Sequence, residues 1–328
     1  ACMQALREGL TLCGGPLLLS LYPFLIVSAL LIQCPAGETL GLPLRPIARL
    51  IGVRAPCAGR VLLIGFLGGF APAASASAEA VRSRQLTPEE ADALLPACVC
   101  SGPSFVILTV GEYLLGSRSL GVLLFLSQLT AGILSAAFLA RLSKKSLQKK
   151  AVQERTFLAA LPKLDQIIAQ AAQNYLKLCG FILFFRMFAA GAGELFPPLV
   201  GTLCAMMLEV CSGCDLASKT GYWASFLCCA SISVQGLSVL LQVRTLCPPE
   251  MTLKPLFRAR LLHLPLSLSI FVLLLPGGEA EAFSTLCDRV IPMRRLPVDC
   301  AVLVFLVCCL ALCSLSRVVQ GAEEKKSG

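Results

Sequence analysis

Two adjacent glycines and a proline interrupt an apolar segment in the stretch of residues 65–74, GFLGGFAPAA. A second interruption at residues 98–105, CVCSGPSF, precedes another apolar segment. Glycine permits unusual backbone angles and close approach, while proline fixes one angle and removes a hydrogen-bond donor. We expect these two stretches to break helices. The rest of the sequence indicates where in the protein these breaks lie.

The composition indicates a membrane protein. The 328 residues are 56% hydrophobic and 14% charged, with a mean hydropathy of +0.79. A soluble domain carries about 25% charged residues and needs a polar shell around its core. Lipid must therefore contact much of the surface, so we predict a multi-pass protein of the cell membrane with the lipid bilayer as its main partner.

The apolar stretches predict the number of membrane crossings. A transmembrane helix needs about 20 mainly apolar residues. Six stretches approach this length: residues 16–33, 120–140, 175–193, 222–243, 256–275 and 300–315. Three are shorter and would span only about 20 Å of a core about 30 Å thick: residues 61–74, 104–115 and 199–210. We predict an all-α polytopic membrane protein with about six to eight transmembrane helices and broken or re-entrant half-helices, which are tolerated where protein or a water-filled cavity covers them.

The two halves of the chain resemble each other. We divide it into a first membrane half (1–140), a basic linker (141–173), a second membrane half (174–275) and a final loop, span and charged tail (276–328). The first half contains a predicted helix–turn–helix over residues 75–96, with Thr87 opening the second helix. The second half has its own Gly/Ser interruptions at Ser212–Gly213 and Gly236. Two inverted repeats and two unrelated halves stay equally open, because the spacings of the interruptions differ.

The net charge of +9 is best explained by topology. Basic residues collect in cytoplasmic loops of membrane proteins, so we expect no nucleic acid partner and place the loop of residues 141–163 in the cytoplasm. The helical pattern that follows, within residues 148–173, fits a plain connecting helix slightly better than a surface-lying amphipathic one.

Catalytic, metal and cofactor sites are not indicated. Most of the 18 cysteines lie in apolar runs, where cysteine packs as a small hydrophobe, and the chain has one histidine. The lone CxxC of Cys211 and Cys214 lacks the further ligands that zinc usually needs. Hydrolase and Walker A motifs are also missing from the sequence. We expect a non-enzymatic chain without cofactor or metal, and a homo-oligomer is an open alternative to a monomer.

The interruptions are the first candidates for solute binding. Ser101, Gly102, Pro103 and Ser104 begin a helix, where free amides and the helix dipole attract anions. Simple capping by Ser101 is an equally good explanation. Broken backbone could expose polar groups to a solute at mid-membrane depth, although glycines also permit close helix packing. That second set comprises Gly68, Gly69, Pro72, Ser212 and Gly213.

Ionisable residues inside apolar stretches are a further set of candidates, because burying a charge in the membrane is costly. Arg186 lies well inside its predicted span, and Glu209 lies at the end of a short apolar piece. The alternative to a binding role is a structural ion pair of Arg186 with Glu209 or with Asp215.

Several of these motifs occur in the same order in a known family. They are the stretches YPFLIVS (22–28), GFLGGFAPAA (65–74), CSGPSF (100–105), LEVCSGC (208–214) and GLSV (236–239). Together they resemble the sporulation integral membrane protein family YlbJ, also called SpoVV, which carries nucleoside-recognition (Gate) domains. The likeness covers roughly residues 10–275.

The resemblance implies transport during endospore formation. The family is associated with moving dipicolinic acid out of the mother cell across the outer forespore membrane. A small planar dianion is compatible with helix starts and an intramembrane arginine. Two alternatives stay open: a transporter of nucleosides or another small polar solute, and a non-transporting sporulation scaffold that recruits partners through the basic loop.

Overall fold

The structure is a computed structural model that describes residues 2–33, 36–142 and 164–275. Helices and turns make up these three ranges, and they contain no strand. Two predicted features fall outside them: most of the basic linker at residues 143–163, and the final segment of residues 276–328 with its predicted span at 300–315.

The first half begins with an entry region and continues into a hairpin of short helices. The entry region consists of α1 (Cys2–Gly14), α2 (Pro16–Gln33), α3 (Ala36–Gly41), a 3₁₀ turn (Leu42–Leu44) and α4 (Arg45–Leu50). The hairpin and the span after it are α5 (Ala58–Gly68), α6 (Phe70–Arg82), α7 (Pro88–Cys98), a π-helix (Ser104–Leu114) and α8 (Arg118–Leu142).

The second half repeats this succession of short helices. It consists of α9 (Leu164–Leu195), α10 (Pro198–Leu208), α11 (Val210–Ser218), a 3₁₀ turn (Gly221–Trp223), α12 (Ala224–Val234), α13 (Gly236–Leu246) and α14 (Lys254–Leu274). In each half, two broken helices form a hairpin and a long helix follows, α8 in the first half and α14 in the second. The order of elements supports an internal repeat, while its inversion across the membrane stays a prediction.

The described residues contain four segments that are long and apolar enough to cross a membrane: Arg118–Leu142, Leu164–Leu195, Gly221–Leu246 and Lys254–Leu274. A fifth crossing results if Cys2–Leu19 and Leu21–Ile32, bent by 47° relative to each other, count as one span. The predicted span of residues 222–243 is not one continuous helix, because Gln235 adopts a left-handed conformation and separates α12 from α13. The predicted short pieces at residues 104–115 and 199–210 are confirmed as the apolar helices Ser104–Leu114 and Pro198–Leu208. The predicted piece at residues 61–74 is divided at Gly69 between Ala58–Gly68 and Phe70–Arg82.

Large apolar side chains point outward from the long helices. Leu195, Leu261 and Leu273 are each about four-fifths exposed. Water would penalise such surfaces, whereas hydrocarbon does not. The chain is therefore an all-helical, multi-pass membrane protein, as its composition predicts.

Local sequence signals fix the ends of several helices. Thr87 and Glu90 form a reciprocal capping box at the start of α7, with Pro88 in the first turn, which confirms the predicted opening of the second helix of the pair. The end of α2 is held by Arg60 on α5, whose Nη1 donates to the carbonyls of Leu31 and Ile32 at 3.2 and 3.0 Å. A buried guanidinium thus satisfies carbonyls that the helix end leaves free.

The helices of the two halves pack directly against each other. Helix α14 of the second half packs on α8 and α7 of the first half, and α6 packs on α13. This arrangement brings the interruptions of both halves to one region of the molecule.

Candidate functional site

The two breaks of the first half meet backbone to backbone. Gly69 separates α5 from α6 with φ +85°, an angle that residues with a side chain rarely adopt. A Cβ atom at this position would lie 2.8 Å from the amide nitrogen of Gly102 and 3.3 Å from the carbonyl oxygen of Cys100. Only glycine permits this approach, so the sequence interruption at residues 65–74 serves the contact between the two breaks.

The second half repeats this contact. Glu209 is extended between α10 and α11, and Gly236 follows the left-handed Gln235 with φ +68°. A Cβ atom on Gly236 would lie 2.9 Å from the amide nitrogen of Glu209 and from the carbonyl oxygen of Leu208. Each half therefore presents a pair of touching breaks in which one partner is a glycine with positive φ.

The carbonyl oxygen of Val99 joins the two pairs. It belongs to the first half, immediately after α7, and accepts a hydrogen bond from Gln235 Nε2 at 3.3 Å. It also accepts a hydrogen bond from Nη2 of Arg260 on α14. Nη1 of Arg260 donates to the carbonyl oxygen of Ser233 at 3.3 Å. One guanidinium thus bridges the breaks of both halves. We call the region formed by Val99, Ser233, Gln235 and Arg260, where the breaks of the two halves meet, the crossing.

Arg260 holds a positive charge at the crossing that no carboxylate in the described ranges neutralises at salt-bridge distance. Its bonding partners are backbone carbonyls. Its Nε is buried and, within the three described ranges, has no hydrogen-bond partner, although the residue as a whole is partly exposed. A buried cation without a counter-ion is costly. The arrangement therefore favours an anion at this point.

A polar cluster surrounds Arg260 inside the helical core. Gln128 on α8 donates through Nε2 to Ser233 Oγ at 2.8 Å and to Ser267 Oγ at 3.0 Å. His263 on α14 places Nε2 3.1 Å from the backbone carbonyl of Gln128. Gln128 Oε1, Gln235 Oε1 and His263 Nδ1 are buried atoms for which the described residues supply no partner. Unsatisfied buried polar atoms are rare in proteins and commonly indicate a ligand or water.

Glu209 is buried but its carboxylate is fully engaged at the start of α11. Oε1 accepts from the amide of Cys211 at 2.8 Å, and Oε2 accepts from the amide of Ser212 at 2.7 Å and from its hydroxyl at 2.8 Å. A carboxylate is stabilised by the free amides and the dipole at a helix start. Glu209 thus occupies the helix start that an anionic solute could otherwise use.

The predicted residues of the first half lie where the breaks meet. Gly68 and Gly69 contact the Gly102 backbone, and Ser101 is buried beside them. Ser104 is exposed at the start of the π-helix. The prediction that Ser101 caps this helix is wrong: Pro103 is the N-cap, and within the described chain no side chain caps it.

Pro72 is buried in the first turn of α6. The amides of a first turn have no partner inside their own helix, so a proline is tolerated there.

The predicted interruption at Ser212 and Gly213 lies inside α11, because the backbone breaks earlier, at Glu209. Ser212 holds the Glu209 carboxylate. A Cβ atom on Gly213 would lie 2.5 Å from Ser231 Oγ and 2.7 Å from the Cα of Met206. This close approach agrees with the alternative of helix packing by small residues. A direct role of Gly213 in solute binding stays a prediction.

Arg186 lies away from these contacts, on the face of α9 that packs on α1. Its Nη2 is 3.3 Å from Oε2 of Glu8, a half-exposed residue of α1. The predicted pairs with Glu209 and Asp215 are both wrong, since Asp215 pairs with Lys219 at 2.9 Å within α11. A role of Arg186 in solute binding stays a prediction.

Arg260 is the functional candidate that sequence reasoning missed, together with Gln128 and His263 around it. A signal was present: Arg260 and His263 are three residues apart within a mainly apolar span, and residues at this spacing share a helix face. Within residues 2–33, 36–142 and 164–275, no group of three or more His, Cys, Asp or Glu side chains that could hold a metal occurs.

Most of the chain is similar to a known protein of sporulation. Over 317 residues it is 26% identical to the sporulation integral membrane protein YlbJ of Bacillus subtilis (strain 168), covering 84% of this chain and 78% of the relative. No model of a protein family matches the chain, and no solved structure does. The similarity confirms the resemblance predicted from the ordered motifs: the chain is similar to the sporulation integral membrane protein YlbJ over most of its length.

Proposed function

We propose that the chain is a transporter of a small anionic solute, dipicolinic acid, and that it moves this solute out of the mother cell across the outer forespore membrane. The similarity to a sporulation integral membrane protein supports the setting. The substrate itself comes from the motif resemblance and from the chemistry of the crossing.

The observation that carries the proposal is the guanidinium of Arg260 at the crossing, bonded to two backbone carbonyls and to no carboxylate in the described parts of the chain. The membrane interior penalises such a charge unless a counter-anion is bound for at least part of the time. A dicarboxylate supplies two negative charges in one small molecule, and one carboxylate can accept from a guanidinium at two points.

The broken helices give this anion further donors. Helices α6 and α13 and the π-helix all begin at the crossing, and among the described residues none of the three has a side-chain cap. First-turn amides have no acceptor within their own helix, so these amides and the positive ends of the dipoles could bind a carboxylate. Half-helices that start at the centre of a membrane bind solutes in this way in several transporter architectures.

The proposal is tested by transport into vesicles. The purified chain is reconstituted into vesicles that contain terbium ions, which luminesce when dipicolinate coordinates them. We expect dipicolinate uptake by the wild type, and at least about tenfold slower uptake by Arg260→Gln, since a hydrogen bond to a charged group is worth about 1.5–3 kcal/mol. Arg258→Gln, which changes an exposed arginine on the same helix, is the matched control.

Arg260→Lys separates charge from structure in the same assay. Lysine keeps the positive charge but not the planar set of donors. Partial uptake by Arg260→Lys with none by Arg260→Gln supports an electrostatic role. Equal uptake by wild type and Arg260→Gln, with both proteins folded, would refute the assignment of Arg260 to substrate binding.

A nucleoside transporter is the second candidate, and the unpartnered oxygens favour it. Gln128 Oε1 and Gln235 Oε1 could each accept from a donor group of a nucleobase. Uptake of a neutral nucleoside in preference to dipicolinate, with little sensitivity to Arg260→Gln, would select this function instead.

The scaffold alternative depends on the basic loop of residues 141–163, nearly all of which lies outside the described ranges. It stays a prediction, as does assembly into a homo-oligomer. Substitution of the lysines in that loop should abolish function if the scaffold alternative holds, and should leave vesicle uptake intact if the chain is a transporter.

A further inference from the structure

His263 lies one helical turn after Arg260 and is almost completely buried. Its Nε2 is 3.1 Å from the backbone carbonyl oxygen of Gln128. A carbonyl only accepts hydrogen bonds, so Nε2 carries the hydrogen in this contact and the neutral ring has its lone pair on Nδ1. Nδ1 is buried and meets no hydrogen-bond partner within the described parts of the chain.

The charges around His263 are few and mostly positive. Helix α14 packs on α7, α8 and α12. On α8 the charged side chains are Arg118 and Arg141, at the two exposed ends of the helix. The titratable groups on or next to these elements that face the crossing are Arg260 itself and the thiols of Cys98, Cys100 and Cys229.

The acidic groups of α7 lie at its other end. Asp92 engages the loop before α14, Glu90 closes the capping box, and Glu89 is exposed. Among the described residues, no carboxylate contacts His263 or Arg260. An imidazolium at position 263 would therefore add a second unpaired positive charge beside Arg260 and is unfavourable without an anion.

We propose that His263 binds a proton at Nδ1 when a dicarboxylate binds beside Arg260, so that anion and proton are taken up together. Residues three apart on a helix lie about 5–6 Å from each other, so a small dicarboxylate can contact both. Its two negative charges then face two positive ones, and the buried site carries no net charge. With a neutral His263, one negative charge would remain uncompensated in the membrane interior.

This inference rests on the proposed function, because it places the transported anion beside Arg260. It adds a property that a dicarboxylate transporter need not have. Because binding and protonation are linked, the proton must strengthen dicarboxylate binding by the same factor by which the dicarboxylate strengthens proton binding. Affinity for dipicolinate should then fall by up to about tenfold for each unit of pH increase once His263 is neutral in the free protein.

The experiment uses the full chain, purified in detergent with an affinity tag that contains no histidine. His263 is the only histidine of the chain, so its ¹⁵N-labelled ring gives the only imidazole signals and needs no assignment. Ring nitrogen shifts are recorded near pH 7 with and without dipicolinate, whose carboxyls are already ionised. Proton uptake is measured in parallel with an indicator dye in weak buffer, and dipicolinate affinity is measured at several pH values.

We expect the ring to change from neutral to doubly protonated on addition of dipicolinate, with uptake of about one proton per ligand bound. His263→Gln keeps an amide donor that can reach the Gln128 carbonyl but cannot take a proton. This variant should bind dipicolinate more weakly, with an affinity that does not change with pH and without proton uptake. Arg258→Gln should keep the pH dependence of the wild type.

Two results would overturn the inference, and they differ in what they say about transport. Dipicolinate binding without a change in the His263 ring and without proton uptake refutes the coupling and leaves the proposed function intact. Retention of the full pH dependence in His263→Gln does the same. Absence of dipicolinate binding to the folded wild type refutes the proposed function, and the coupling with it.

Discussion

Asp92 on α7 holds the beginning of α14 through Thr252, a residue 160 positions later in the chain. Oδ2 of Asp92 accepts from the amide of Thr252 at 2.9 Å and from its hydroxyl at 2.7 Å, and Oδ1 accepts from the amide of Leu253 at 3.2 Å. The carboxylate thus accepts from the amides of the two residues that immediately precede α14. The hairpin of the first half therefore positions the helix that carries Arg260.

Removal of this carboxylate should destabilise the protein. We expect Asp92→Ala to lower the free energy of unfolding by about 1–3 kcal/mol, because buried amides lose their acceptor. Thermal unfolding in detergent measures the effect. Glu89→Ala, on the exposed side of the same helix, is the control and should cost less than about 1 kcal/mol. Equal melting temperatures for both variants would contradict the role assigned to Asp92.

Gly69 and Gly102 form a matched pair for testing the contact between the breaks. A side chain at Gly69 meets the Gly102 backbone at 2.8 Å and requires φ +85°, whereas a Cβ at Gly102 has its nearest neighbour, the Gly68 carbonyl, at 3.4 Å. We expect Gly69→Ala to destabilise the fold by about 1–3 kcal/mol and Gly102→Ala to be much better tolerated. If the two variants lose comparable free energy of unfolding, a side chain is no less tolerated at Gly69 than at Gly102, and the close contact assigned to Gly69 is wrong.

Glu209 should contribute more to stability than the neighbouring acidic residue on α11. Glu209→Ala leaves two buried amides and a hydroxyl without their acceptor, with an expected loss of about 1–3 kcal/mol. Asp215→Ala removes an exposed i,i+4 pair with Lys219 and should cost at most about 1 kcal/mol. Chemical unfolding of the two variants checks the order, and a larger loss for Asp215→Ala would reverse it.

The sequence assigns solute binding to Arg186, whereas the structure favours Arg260, and substitution of each arginine compares the two assignments directly. Its pair with half-exposed Glu8 is worth at most about 1 kcal/mol, so Arg186→Gln should retain vesicle uptake of dipicolinate close to that of the wild type. A loss of uptake as large as that of Arg260→Gln would restore the sequence-based assignment.

The positions of the helices could be predicted because lipid leaves a strong signal in the sequence. Apolar runs delimit α8, α9 and α14, and Thr87, Pro88 and Glu90 mark the start of α7 through local hydrogen bonds that need no tertiary partner. The interruption at Gly69 was equally visible, because two glycines in an apolar run serve close approach in any fold.

The site was only partly predictable because its chemistry depends on partners distant in the chain. Gly236 marks a break in the second half, but the preceding left-handed Gln235 carries a side chain, and no local signal indicates its contact with Val99. Arg260 is four residues from the start of its span, where an arginine commonly reaches the membrane surface. Its contacts with Ser233 and with Val99, 161 positions earlier, hold it at the crossing.

The shared acceptor at Val99 has a consequence for how this protein tolerates sequence change. A backbone carbonyl is present whatever side chain occupies a position, so no point mutation can delete the oxygen on which the two halves converge. Selection can act on the two donors, Gln235 and Arg260, but the acceptor is genetically invariant. Divergent relatives can therefore differ at this position, provided that the new side chain fits the buried space of Val99, and still keep the same junction.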